Sequence, residues 1–453
     1  MPNARTFRVR DPVHGLIVFD GENKLDQLAW RLLNEWPFQR LRRIKQLGFS
    51  EFVFPGATHS RFSHCIGVLD TARQLVKIIA RDRPAGRNDE RAEVAILAAL
   101  LHDIGHGAFS HVFEVVERSR GKRKKHEDWT AEIVLDTQLP IRALLDERRN
   151  GLARDIADLL RAETPIDVYH AVVSSSLDAD RLDYLRRDRL MTGSGAGAID
   201  FDWILDNLTV ADINIGLETA EEDRAVERPS FCLKEKALQA AEAFLLARYH
   251  LYSQVYFHKT TRGIEQVLVA LLKALSRSVK DGQVEATGLS NDEPIVVFYK
   301  EDAPSVASYL ALDDVVLWSA VGRMRSAKDP FIAELAARLW ARDLFKAVNV
   351  TVINTSVEAQ RRAGKWIEAQ AGSELGRHVL KDDPKIGVYG EIGADDEKVH
   401  KRLMILMADN KLREITEVSP VIKAISETRL LRYYFADKSL YDKVKNWMEG
   451  NHG

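Results

Sequence analysis

Only two cysteines, Cys65 and Cys232, occur in 453 residues, far apart and in no metal-ligand spacing. That excludes a disulfide framework and a thiolate metal site, and it makes a reducing compartment, the cytoplasm, the expected one. Charge of one sign is also missing. The 65 Lys and Arg residues against 67 Asp and Glu leave a net charge of -2, so a polyanion has to be met by a local cluster of cations and a histone-like binder is excluded. Apolar runs are short: Val94 to Leu101 is typical, against the ~20 residues of a membrane span. The opening MPNARTFRVRDPVHG lacks the apolar centre of a signal peptide. A soluble, untargeted protein is expected.

What is present is an ordinary globular composition, 45% hydrophobic and 29% charged. The length allows about three domains at roughly 150 residues each, or one large helical body with an appendage. Between about residues 25 and 280, apolar positions recur three and four apart, as in Leu69, Ala72, Leu75, Val76 and Ile79, or Ala237, Ala240, Ala241, Phe244 and Leu245. This spacing predicts a helical bundle or cage. Polar and glycine-rich breakers interrupt it at 81–89, 121–128, 192–200 and 218–230, the last read as an exposed acidic loop. Beyond residue 280, IVVFY (295–299), VNVTVINT (348–355) and KIGVYG (385–390) read as strands between helical stretches at 328–347 and 356–372. A smaller α/β C-terminal part is expected.

The segment from Val94 through His102-Asp103-Ile104-Gly105-His106-Gly107 to Ser110-His111 carries the most chemistry. An apolar helix is expected to end at the His-Asp pair, with Gly105 and Gly107 turning the chain sharply away. Neighbouring side chains on a helix diverge by about 100°, which suits two ligands gripping one ion. Upstream, His59-Ser60-Arg61-Phe62-Ser63-His64 opens another amphipathic helix. Downstream, Asp178, Asp180, Asp183 and Asp188 alternate with Leu177, Leu182, Tyr184 and Leu185 rather than with Lys and Glu, which argues against a plain solvated face. Imidazole and carboxylate donors suit a divalent Mn, Fe, Zn, Ni or Mg ion and leave its identity open. Ligands from separate helices leave coordination positions for water or a phosphate oxygen.

In order, FQRLRRIKQLG (38–48), VFPGATHSRFSH (53–64), LLHDIGHGAFSH (100–111) and LDADRLDYLRRD (177–188) resemble motifs of the HD-domain metal-dependent phosphohydrolases. Within them the chain is most similar to the deoxynucleoside triphosphate triphosphohydrolases related to the vertebrate SAM and HD domain-containing enzyme. The resemblance extends from DPVHG (11–15) through YFHK (256–259) to EVSPVIKAI (417–425). It implies a mainly α fold, with an HD-domain helical catalytic core over 1–280 and a smaller α/β region over 281–453 for regulation and oligomerisation. No SAM domain is expected ahead of the first motif.

Residue by residue, the resemblance implies metal ligands His64, His102, Asp103 and Asp180, with Asp180 rather than Asp178 at the ligand position. Acid/base roles fall on His106, His111 and His126, with Glu114 where the family more often has Asp. His126 is assigned as proton donor to the leaving nucleoside oxygen, and His111 with Glu114 as the water-side or phosphate-side pair; a histidine near neutral pKa supplies a proton without large tuning. Arg61, Arg181 and Arg248 are expected on the phosphates, where a planar guanidinium fits paired oxygens; Arg181 replaces a common Lys. Gln46 and Asp188 would hold the sugar hydroxyl, Leu47 the base, Tyr184 the phosphates, and Tyr256 the underside of the sugar, leaving no room for a 2' hydroxyl. Tyr252 stands where the vertebrate enzyme has His.

The family is regulated by nucleotides bound between subunits of a tetramer, so nucleoside triphosphates and further copies of this chain, as dimer or tetramer, are the expected partners. Gln39 and Arg42 match that allosteric site, but Asn34 replaces an Asp that reads guanine. An amide offers a donor where guanine requires acceptors, so strict guanine activation is not expected, whereas activation by other nucleotides is compatible. The basic run Arg118, Arg120, Lys122, Arg123, Lys124, Lys125 lies between His111 and His126. It reads as a solvated loop, a triphosphate or subunit contact, or a nucleic-acid contact; without interleaved aromatics a base-stacking groove is not indicated. Residues 193–197 lack the Lys-Ser/Thr of a P-loop and read as a flexible loop. The expected function is a (deoxy)nucleoside triphosphate triphosphohydrolase. An HD-type nuclease or phosphodiesterase acting on single-stranded nucleic acid or a signalling nucleotide, and a nucleotide-sensing oligomer with little turnover, are the alternatives.

Overall fold

The computed structural model describes residues 5–165, 167–195, 197–214, 227–351, 356–387, 389–391, 401–425 and 428–450. Most of the acidic loop expected at 218–230 lies outside them, as do parts of the 348–355 and 385–390 segments. The chain opens with an antiparallel hairpin, β1 (Phe7–Asp11) and β2 (Gly15–Phe19). Alternation along β2 sends Ile17 and Phe19 into the core and leaves Leu16 and Val18 exposed.

The body of the chain up to about residue 280 is mainly helical, as its apolar spacing predicts. α1 (Arg61–Asp82) buries Cys65, Val68, Leu69, Ala72, Leu75 and Ile79 along one stripe. α2 (Asp89–Leu101), capped by Asn88, has every residue from Val94 to Leu101 buried, as befits a central helix apolar all round. α3 (His111–Ser119), α4 (His126–Leu135), α5 (Leu152–Arg161) and α6 (Ala179–Thr192) complete the surround. α1 packs on α2 and on α6, which sets the start of α1, the end of α2 and the start of α6 side by side. Asp178 caps the N-terminus of α6 by accepting from the Arg181 amide, and Gly193 ends it at φ 68°. α7 (Leu238–Leu251) passes through a π-helical turn at Tyr252–Tyr256 into α8 (Lys259–Lys280). Such turns re-aim side chains and recur at functional sites.

After residue 280 small sheets appear, as expected, but IVVFY is not a strand. It forms α9 (Pro294–Lys300). Pro294 at the first helical position presets φ, and the buried Ile295, Val296, Phe298 and Tyr299 fall at helical spacing, so tertiary burial overrides β-branched propensity. α10 (Val306–Leu310) and α11 (Asp314–Met324) follow. Lys346–Asn349 and Val379–Asp382 flank Arg432–Phe435 in an antiparallel sheet, while Met404–Leu406 returns to pair in parallel with Glu227–Lys234. One apolar cluster joins α1, α2 and α6 to Leu403, Ile405, Ile415 and Ile422; a second joins α8, α9 and α11 to Phe109, Val112 and Trp129. Among the described residues no helix is long and apolar enough to cross a membrane.

The turn after α2 differs from expectation in its cause. The left-handed residues are Phe109 (φ 51°) and Ser110 (φ 46°), not Gly105 or Gly107. Gly105 is required by close approach: a Cβ there would lie 2.2 Å from the Thr130 amide nitrogen and 2.4 Å from the His126 carbonyl oxygen. Gly105→Ala is expected to lower stability by about 3 kcal/mol, since backbone rather than a flexible side chain must move. A urea unfolding midpoint equal to that of the parent protein would contradict this.

Candidate active site

Four donors converge where α1, α2 and α6 meet. His102 is the C-cap of α2 and Asp103 follows it, while His64 lies in the first turn of α1 and Asp180 in the first turn of α6. The ligand atoms of His64, His102 and Asp103 all lie within 4.8 Å of one another. Asp180 Oδ1 joins them at 3.0 Å from His64 Nε2 and 3.8 Å from His102 Nε2. Donors each about 2.1 Å from a shared ion stand roughly 3.0 to 3.4 Å apart, so the spacing fits one divalent cation.

Ring tautomers agree with this. His64 Nδ1 is 2.7 Å from Asp183 Oδ2, and His102 Nδ1 is 2.8 Å from the Ala99 carbonyl, which must accept. Each ring therefore holds its proton on Nδ1 and turns Nε2 to the cluster, where both Nε2 atoms are buried without a hydrogen-bond partner. A lone pair facing a carboxylate oxygen at 3.0 Å calls for a cation between them. In its metal-free form the cluster attracts a proton instead: burial opposes charge on His64, but Asp180 and Asp183 outweigh it and push its pKa up to about 10. Asp180 is 38% exposed, so the cluster is open on that side.

Asp103 is gripped at both oxygens. Arg61 Nη1 donates to Oδ2, and His106 Nε2 lies 3.0 Å from Oδ1. Burial would raise the Asp103 pKa, but Arg61, His102 and His106 hold it well below the usual carboxylate range. Burial, reinforced by Arg61 and His126, drives His106 well below its ordinary value, so His106 is neutral. His126 stacks on it at 3.9 Å, and His126 Nδ1 is 2.8 Å from Glu114 Oε1. Burial opposes charge on His126, yet the Glu114 bond and the nearby Glu127 prevail and its pKa is raised. Glu114 keeps the expected partner His111, which is 74% exposed and 3.9 Å away, and has His126 as a second, closer one.

The expected nucleoside residues form one continuous set beside the cluster. The Gln46 backbone N–H donates to the His59 carbonyl; His59 Nε2 is 2.8 Å from Asp188 Oδ1, and the Tyr256 hydroxyl donates to Asp188 Oδ2 at 2.7 Å. Tyr252 and Tyr184 meet Tyr256 edge-on at 4.9 and 6.4 Å, and Arg248 reaches the Tyr252 ring at 5.7 Å. Leu47 is half-buried next to Gln46, whose Oε1 is buried without a partner. Arg181 is bound to Asp178 and to the Ser175 carbonyl. Farther along the same arm, Arg42 donates to Gln39 at 2.8 Å and lies over Phe62, while the Asn34 amide donor is engaged by the Trp30 carbonyl within its own helix.

A recess of about 440 Å3 opens on the metal cluster and is lined by His102, Arg123, His126, Arg161, Asp180 and Arg181 among others. Much of the basic run is structural: Arg120 binds Glu117 and the Tyr299 carbonyl, Lys122 the Asp302 carbonyl, and Lys124 Glu132. Arg123 and Arg161 are exposed at the recess and make no ion pair among the described residues.

Residues 309–314 hold the site from behind, a role no motif announced. The Tyr309 hydroxyl donates to the Gly105 carbonyl, and buried Arg40 donates to the Leu312 and His106 carbonyls. Asp314 accepts from the Lys45 amide at 2.8 Å and the Phe109 amide at 2.7 Å, joining the loop after α2 to the arm that carries Gln46. Burial pushes the Asp314 carboxyl up to about 6, although both amides favour its charged form. Its folded pKa exceeds the unfolded value of about 3.9, so its stabilising contribution, roughly 3 kcal/mol, is complete below about pH 4 and lost as pH rises through 6. Asp314→Asn is expected to flatten that fall in urea unfolding; an unchanged pH slope would contradict it.

Residues 61–187, which contain all four donors, match the HD domain, and residues 223–310 match the HD associated region. YwfO, an uncharacterized protein of Bacillus subtilis, is 30% identical over 442 residues, covering 96% of this chain and 94% of that protein. The chain belongs to the HD-domain family. This HD protein is also 30% identical over 420 residues to mouse deoxynucleoside triphosphate triphosphohydrolase SAMHD1, covering 85% of this chain and 59% of the mouse protein. A crystal structure of a phosphohydrolase from Bacteroides thetaiotaomicron matches it with a TM-score of 0.73 at 27% identity, over 96% of this chain and 100% of that one. The HD protein is a metal-dependent hydrolase of mainly α fold.

Proposed function

We propose that the chain hydrolyses (deoxy)nucleoside triphosphates to nucleoside and triphosphate. One observation carries the reading. Asp180, Tyr184 and Asp188 lie on one face of α6 at four-residue steps, so the metal cluster leads directly to the Tyr256–Asp188–His59 set. From Asp180 to Asp188 the helix rises about 12 Å, the scale of one nucleotide. The names of the mouse SAMHD1 and Bacteroides relatives support the same reaction class.

In this reading His64, His102, Asp103 and Asp180 would hold a divalent ion, which would supply positive charge for the phosphates and acidify water. Water attacks the α-phosphorus, the bond from phosphorus to the 5' oxygen breaks, and the attacking water's proton passes to solvent. His126 has Nδ1 tied to Glu114, so its transferable proton is on Nε2 and goes to the 5' oxygen. Arg61, Arg181 and Arg248 keep positive charge beside the phosphates, and Tyr256 closes the space beneath the sugar. Gln39, Arg42 and Asn34 would form a second nucleotide site in a homo-oligomer, with 281–453 as the regulatory region. Two buried, unpaired cysteines support a cytoplasmic location.

The test incubates the protein with all eight common nucleotides, singly and mixed, in Mn and in Mg, and identifies products by chromatography. Nucleoside with tripolyphosphate is expected; NMP or NDP without tripolyphosphate would overturn the reaction type. Arg123 and Arg161 at the recess favour, as a second reading, cleavage of single-stranded nucleic acid. Absence of cleavage in Mn at low salt would dispose of it.

A further inference from the structure

DPVHG, at 11–15, is part of the family resemblance yet holds none of the candidate metal or nucleotide residues. The structure puts it directly behind a metal ligand. His64 presents Nε2 to the cluster because its Nδ1 proton is taken by Asp183 Oδ2. The other oxygen of Asp183 faces His14 Nε2 at 2.6 Å, and His14 Nδ1 lies 3.4 Å from Asp70. Arg187 then clamps two carboxylates at once. It donates to Asp183 from Nε at 2.8 Å and Nη2 at 2.9 Å, and to Asp11 from Nη1 at 2.8 Å and Nη2 at 3.2 Å. Asp11 in turn accepts from the Val13 and His14 amides, fixing the turn of the hairpin.

The side chains of His14, Asp183, Arg187 and Asp11 are 2%, 0%, 1% and 4% exposed, so none of these bonds is diluted by water. Space is made for them by Gly67 of α1, where a Cβ would lie 2.0 Å from Asp183 Oδ1 and 2.4 Å from Arg187 Nη2. Asp183 is also placed by its helix. It is one turn from Arg187 and three residues from Asp180, so α6 delivers one carboxylate to the cluster and another to the back of His64.

We infer that the hairpin turn Asp11–Gly15, through His14 and Arg187, positions Asp183 so that His64 offers Nε2 to the divalent ion, making Asp11, His14, Asp183 and Arg187 positioning residues for the metal. Asp183 fixes both the tautomer and the plane of the His64 ring. Arg187 and His14 fix Asp183, which otherwise has freedom to rotate away. Outer partners of ligating histidines raise ligand basicity, and their loss costs about 10- to 100-fold in metal affinity.

The inference rests on His64 being a metal ligand, and the experiment separates the two. Mn2+ is titrated calorimetrically into chelator-treated full-length protein, with melting temperatures recorded for each variant. His64→Ala tests the ligand reading itself. His14→Ala and Asp183→Asn test the positioning, each expected to weaken Mn2+ binding about tenfold or more. His14→Gln, whose amide can donate to Asp183 from nearly the same place, is expected to recover most of the affinity. A folded His14→Ala protein with parental Mn2+ affinity and only a lower melting temperature would overturn the inference while leaving the ligand reading intact. Parental affinity in His64→Ala would overturn both. Should Asp183→Asn fail to fold, the His14 pair decides the matter, because rescue by Gln is not expected of a residue that merely fills space.

Discussion

His102→Ala and Asp103→Asn are each expected to abolish divalent-metal binding and to lower turnover by about a thousandfold or more, the loss that follows when an ion worth several kcal/mol of charge stabilisation is removed. The two substitutions act on different parts of one geometry. His102 has its Nδ1 proton committed to the Ala99 carbonyl, so only Nε2 faces the cluster, and alanine leaves nothing in its place. Asp103 has one oxygen under Arg61 and the other under His106. Asparagine keeps that shape but withdraws the negative charge that offsets the arginine and the ion. Metal content after dialysis and product release are the measurements. A protein that keeps both metal and activity after either change would remove this cluster from the account.

His126→Gln is expected to reduce kcat by about 10^2- to 10^4-fold, the range for a lost general acid, while Mn2+ affinity stays at the parental value. The pH profile gives a sharper signature. Burial opposes charge on His126 and Glu114 more than compensates, so the ring stays protonated above the ordinary histidine range. Activity that needs the protonated ring is complete below that raised pKa and falls as pH rises through it. Glu114→Gln removes the partner that raises the pKa, so the alkaline limb moves to lower pH. If that limb does not move, His126 is not the group that titrates. His111, exposed and 3.9 Å from Glu114, is the alternative to substitute next.

Much of this site could be read from local pattern. The three-and-four spacing of Leu69, Ala72, Leu75 and Ile79 marked α1, and the unbroken Val94 to Leu101 run ending in His-Asp located both the central helix and two ligands at its end. Carboxylates interleaved with leucines in 177–188 do not form a solvated face: Asp178 caps α6, Asp183 is buried behind His64, and Asp188 joins His59 to Tyr256. What escaped were contacts without sequence period. His14 meets Asp183 across 169 positions, and Asp314 meets Phe109 across 205. No spacing rule links such residues. Two local readings also failed for a tertiary reason. IVVFY is helix because its buried faces and Pro294 outweigh β-branching, and Gly105 is small because another helix approaches the turn, not because the turn needs a left-handed residue there.

Attack by water at the α-phosphorus with departure of the nucleoside is the centre of the account, and oxygen labelling tests it most directly. Turnover of a deoxynucleoside triphosphate in 18O-enriched water, followed by mass spectrometry of both products, is predicted to place the label in tripolyphosphate and none in the nucleoside. Label in the nucleoside 5' hydroxyl, or release of labelled phosphate or pyrophosphate with a nucleotide, would contradict it.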